Sequence, residues 1–124
     1  MEYKIKTFYD LRVWQESHTL VIMVYKITKL FPKEELFGLT NQLRRACVSI
    51  TSNISEGFGR RTVKDKIHFY TMAIGSLNEV QNQLFISKDL NYLKETDWRL
   101  LEERIILINK MMNSLVKKST FLNS

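Results

Sequence analysis

Apolar residues recur at three- and four-residue intervals along most of the chain, the spacing that puts side chains on one face of an α-helix. Trp14, Ser17, Val21, Val24 and Thr28 form the first run, with Val13, Leu20 and Ile27 beside it. So wide a stripe suits a bundle helix. It predicts a helix over 11–30, with Asp10 as its N-cap and Pro32 as its stop, since the residue before proline avoids helical geometry. Leu39, Leu43, Ala46, Ile50 and Ile54 predict a second helix over 38–56, ended by Gly57 turning left-handed. Phe69, Ala73, Ser76, Val80 and Leu84, flanked by Tyr70, Ile74 and Leu77, predict a third over 63–90. Thr62 with Asp65 resembles a capping box in front of it. Leu101, Ile105, Ile108, Met112 and Leu115 predict a fourth over 97–119, with Thr96 as its N-cap. No strand-like alternation competes with these patterns.

The connections between the four segments are short, which forces neighbouring helices to run antiparallel. The expected architecture is all-α: one antiparallel up-down-up-down four-helix bundle about 30 Å long. A chain of 124 residues suits a single domain. With 44% apolar and 26% charged residues the composition is that of a globular protein and argues against disorder. Only 4 glycines and 1 proline interrupt it, which favours long helices over a many-turned β fold.

One block is too particular to be amphipathic filler: Phe31-Pro32, Glu35-x-Phe37-Gly38-Leu39, Gln42-x-Arg44-Arg45-Ala46, Ser49-Ile50 and Asn53-Ile54-x-Glu56-Gly57. Ala73-x-Gly75-Ser76-x-x-Glu79 follows it and Leu11-x-Val13-Trp14-Gln15 precedes it. Together these residues resemble the four-helix bundle proteins encoded in 23S rRNA intervening sequences. The resemblance covers nearly the whole chain, although the last helix matches only in pattern. It implies a four-helix bundle that assembles as a homopentamer. It also implies similarity to the accessory variability determinant of diversity-generating retroelements, a basic pentameric bundle that binds nucleic acid and a reverse transcriptase. It implies no enzymatic activity and no cofactor.

The net charge of +6 comes from 19 basic and 13 acidic residues, and the bundle topology distributes it unevenly. One end collects Lys4, Lys6, Arg60, Arg61, Lys64, Lys66, Lys117 and Lys118 against Glu2, Asp10 and Asp65. The other collects Lys29, Lys33, Lys88 and Lys94 against Glu34, Glu35, Asp89, Glu95 and Asp97. In a ring of parallel bundles the basic ends would sum into one surface. Phosphate neutralisation by lysine and arginine is the physics of non-specific nucleic-acid affinity. Arg60, Arg61, Lys64, Lys66, Lys117 and Lys118 are therefore the expected nucleic-acid-binding residues. The competing reading is a solvated basic end that only keeps the protein soluble.

The second helix also carries a polar stripe of Gln42, Arg45, Ser49, Ser52 and Glu56, with Asn53 beside it. Serine and asparagine are poor choices for an exposed helix interior, because they compete for backbone hydrogen bonds. A structural polar network of Gln42, Arg44, Arg45, Ser49, Asn53, Glu56 and Glu79 explains them better, with Arg44 or Arg45 reaching Glu79 across the hairpin. Ala46 is expected opposite Gly75, which would let the two helices approach closely.

No catalytic constellation stands out. Glu56 and Glu79 lack an accompanying nucleophile or ligand set, and His18 and His68 lack metal-ligand spacing. Gly57-x-Gly59 has neither a preceding strand nor a following Gly-Lys-Ser/Thr, so it is not a phosphate loop, although an anion could sit at the start of the third helix. Cys47 is expected to be a buried, inert thiol. A single cysteine fits a reducing compartment, and no signal peptide or apolar run of about 18 residues is visible, so a cytoplasmic protein without a membrane span is expected. Leu36 and Phe37 lie in a connection and need cover, either from a neighbouring subunit or by folding back. Two readings of function follow. One is a non-enzymatic, oligomeric module that contacts RNA or DNA phosphates with little base specificity; the other is a protein-protein adaptor whose positive end is incidental.

Overall fold

The computed structural model describes residues 4–122, with side chains described through 120. Four helices form the body: α1 (Arg12–Thr28), α2 (Asn41–Phe58), α3 (Val63–Asp89) and α4 (Glu95–Leu122). There is no strand among the described residues. Each helix packs on the next, and α4 packs back on α1, so the antiparallel bundle is closed. Leu20, Val24, Leu43, Ile50, Ile54, Leu77, Leu84, Leu101, Ile105, Ile108 and Met112 fill the centre and are excluded from solvent. Burying each such side chain contributes about 1.5–3 kcal/mol, which is why the stripes determine how the helices pack.

The helix ends depart from the sequence expectations for local reasons. Asp10 does not cap α1. Its carboxylate reaches backward and accepts from the N–H groups of Lys6 (3.0 Å) and Thr7 (2.9 Å), closing a 3-10 turn over Phe8–Asp10. The residue before α1 is Leu11, in extended geometry and without a side-chain cap. At the other end of α1 the Thr28 hydroxyl donates to the Val24 carbonyl at 2.7 Å, and the chain leaves the helix before Pro32. The first connection then makes a 3-10 turn over Lys33–Glu35 and a π-helical turn over Leu36–Thr40, broken at Gly38. Leu36 and Phe37 do not fold back onto the bundle; Phe37 is 90% exposed.

Gly57 is not a left-handed stop. α2 continues through it to Phe58 and is capped by Gly59 at φ −78°, in the right-handed region. Gly57 is buried, and a Cβ there would lie 2.6 Å from Cε1 of Tyr70. Its role is therefore close approach of α2 to α3. The expected close approach of Ala46 and Gly75 does not form, because Gly75 is exposed with no neighbouring atom within 4 Å of the position a Cβ would take. Thr62 caps α3 by accepting from the Asp65 N–H at 3.1 Å. Thr96 is not a cap, since it lies inside the first turn of α4. The left-handed residue of the last connection is Asn91, with φ 62°.

Candidate nucleic-acid interface

The antiparallel topology gathers the start of α1, the end of α2, the start of α3 and the end of α4 at one pole. Lys4, Lys6, Arg61, Lys64, Lys117 and Lys118 are exposed there and take part in no ion pair among the described residues. Glu2, expected at this end, lies outside the described residues.

Arg60 and Lys66 are engaged within the chain. Arg60 Nη2 donates to Glu56 Oε2 at 3.1 Å, and its guanidinium carbon lies 4.5 Å from the centroid of the Phe69 ring. Lys66 Nζ donates to the carbonyls of Phe58 (2.7 Å) and Gly57 (3.3 Å) and sits 5.6 Å from the Phe58 centroid. An ammonium at the C-terminal end of α2 adds a donor to its last carbonyls and complements its dipole. Partial burial lowers the pKa of Lys66. The predicted set thus divides into Arg61, Lys64, Lys117 and Lys118, which face solvent, and Arg60 and Lys66, which are held by local contacts.

The same pole carries aromatic rings. Phe8 packs edge-on against Tyr9 (5.3 Å) and Trp14 (5.4 Å), and Trp14 stacks on His18 at 4.8 Å with 14° between the planes. Tyr9 is 54% exposed and His18 is also exposed. The spacing alone assigns these rings to the core, because Trp14 falls on the apolar stripe of α1 and nothing in the sequence shows which rings stay open to solvent. The available signal was a pair of lysines just ahead of the rings, Lys4 and Lys6 before Phe8 and Tyr9, and again Lys64 and Lys66 before Phe69.

The expected polar network forms only in part. Ser49 and Ser76 share a hydroxyl hydrogen bond at 2.9 Å, and Asn53 Nδ2 donates to the Ser49 carbonyl (2.9 Å) and hydroxyl (3.1 Å). Farther along, Gln83 Nε2 donates to Glu79 Oε1 at 3.2 Å. Gln42, Arg45, Ala46, Ser49 and Glu79 line a groove of about 300 Å³ between α2 and α3, but Arg45 and Glu79 form no ion pair. Arg44 turns to α1 instead, donating from Nε to the Thr28 hydroxyl at 2.9 Å and lying 4.9 Å over the Tyr25 ring. Glu56 belongs to the basic pole through Arg60. Ser76 and Gln83 complete the network; their spacing with Glu79 on one face of α3 was the readable sign.

Cys47 is buried, its thiol donating to the Arg44 carbonyl at 3.3 Å, and burial pushes its pKa up to about 11. Among the described residues no three His, Cys, Asp or Glu side chains gather in a way that could hold a metal ion, and no helix is long and apolar enough to cross a membrane. Elsewhere, Arg104 pairs with Glu16 between α4 and α1, and Met23, Ile27, Leu30 and Leu100 line an apolar groove of about 310 Å³.

The fold and its poles define a small, basic, closed four-helix bundle. The chain belongs to the 23S rRNA-intervening sequence protein family, whose model matches residues 9–114. Its fold is similar to that of a protein of unknown function from the S23 ribosomal protein family of Bacteroides thetaiotaomicron VPI-5482, with a TM-score of 0.78 at 23% identity, over 85% of this chain and 95% of that one. No curated protein matches the chain.

Proposed function

We propose that this protein is a non-enzymatic, oligomeric binding module whose basic pole contacts the phosphates of RNA or DNA. The observation behind the reading is the set of Arg61, Lys64, Lys117 and Lys118 at one pole, exposed and without ion pairs among the described residues. Cations that already have partners gain little from a phosphate, whereas these would release its counterions. The homopentamer is proposed from the family resemblance. Its physical support is the apolar surface left by Leu30, just past the end of α1, and by Leu100 and Leu107 on α4. Five parallel bundles would join their poles into one cationic face. Charge reversal of Arg61, Lys64 and Lys117 together should abolish retention of labelled RNA on a filter while leaving the helical circular dichroism intact. Unchanged retention would overturn the reading.

A second reading, a protein-protein adaptor with no nucleic-acid role, is favoured by Phe37. A ring 90% exposed at the pole opposite the cations suits an apolar partner surface, whether another subunit or a protein such as a reverse transcriptase. Salt separates the two, since phosphate contact weakens steeply with ionic strength and an apolar interface does not.

A further inference from the structure

We infer that the basic pole takes unpaired nucleotides, with a base stacked on the outward face of the Arg60 guanidinium. This rests on the nucleic-acid reading above and narrows it from any phosphate backbone to single strands.

Arg60 is poorly placed to act as a phosphate ligand. Glu56 already occupies its charge at 3.1 Å. What the geometry preserves is its plane. The Phe69 ring backs the guanidinium at 4.5 Å, and His68 packs edge-on against Phe69 at 5.4 Å. The Arg60 side chain nonetheless remains 44% exposed. A guanidinium seated over a ring and still partly open to solvent offers a surface on which an unpaired base can stack. A base inside a duplex is already stacked on its neighbours and gains nothing there.

Two further platforms stand at the same pole. His18 lies parallel to Trp14 at 4.8 Å and is exposed, and Tyr9 presents a ring 54% open to solvent. Arg61, Lys64, Lys117 and Lys118 supply the cations. The arrangement thus pairs planar groups for bases with free charges for the backbone between them, the combination that binds single strands with little sequence preference.

The test is fluorescence anisotropy on the full chain, with a short labelled single strand and the duplex of the same sequence. Arg60→Lys keeps the charge and the reach to Glu56 but removes the plane. It should weaken single-strand binding about five- to tenfold and leave duplex binding unchanged. Phe69→Leu, which keeps apolar bulk but removes the backing ring, should cause the same selective loss; if it fails to fold by circular dichroism, Arg60→Lys decides alone. Equal loss of both ligands, or of neither, overturns the inference. Wild-type protein binding strand and duplex equally also overturns it, while leaving the phosphate reading intact. Binding to neither ligand overturns both.

Discussion

The Tyr92 hydroxyl donates to Glu35 Oε2 at 2.9 Å, tying the first connection of the bundle to the last. The other carboxylate oxygen of Glu35 accepts from the Leu39 N–H at 3.3 Å, and a Cβ on Gly38 would lie 2.9 Å from it. Glu35, Gly38 and Tyr92 therefore form one clasp, and Phe37 projects from it. The hydrogen bond to Glu35, followed by burial and the nearby carboxylates, raises the Tyr92 pKa above its ordinary 10.0. A raised folded-state pKa gives stability that is complete below the unfolded value and lost as pH climbs through the folded one. An absorbance titration of tyrosinate should show Tyr92 ionising late, and Glu35→Ala should bring it back toward 10.0 while Tyr70, raised by burial alone, stays high. A titration unaltered by Glu35→Ala would refute the clasp.

Gly57 and Gly75, on the facing helices α2 and α3, should respond to alanine with opposite signs. At Gly57 the new methyl group meets the Tyr70 ring at 2.6 Å, so Gly57→Ala should destabilise by about 1–3 kcal/mol. At Gly75 it meets nothing, so Gly75→Ala should stabilise by about 0.5–1 kcal/mol through helix propensity. Urea denaturation of both variants measures the signs; a tolerated Gly57→Ala would mean that the helices do not touch there.

Cys47 should be silent in the folded protein. Its burial and a pKa of about 11 leave almost no thiolate near neutrality, so a thiol reagent should label it only after denaturant is added. Fast native labelling would place it at the surface.

The Ser49–Ser76 bond is the cross-helix link of the polar network. A double-mutant cycle with Ser49→Ala and Ser76→Ala should give a coupling energy of about 0.5–1.5 kcal/mol. A coupling near zero would mean that water serves both hydroxyls equally well.

The bundle was legible because its stripes are strong. Leu101, Ile105, Ile108 and Met112 read as one buried face and are one, and Thr62 caps α3 as its spacing suggests. What stayed hidden depends on partners distant in sequence or on the direction in which a side chain turns. The need for Gly57 is set by Tyr70 on the facing helix. Asp10 could cap forward or backward, and it reaches backward. Arg44 finds Thr28 on α1 where Glu79 on α3 was expected. Arg60 and Lys66 belong to a basic cluster by composition, yet a carboxylate one turn away and two carbonyls at the end of α2 engage them.

The most direct test of the nucleic-acid module is light scattering after size exclusion, with and without a structured RNA fragment, at low and at moderate salt. The 14.7 kDa chain should elute as a pentamer that retains RNA at low salt and releases it as ionic strength rises. A monomer, or a pentamer that ignores RNA at both salt concentrations, would contradict it.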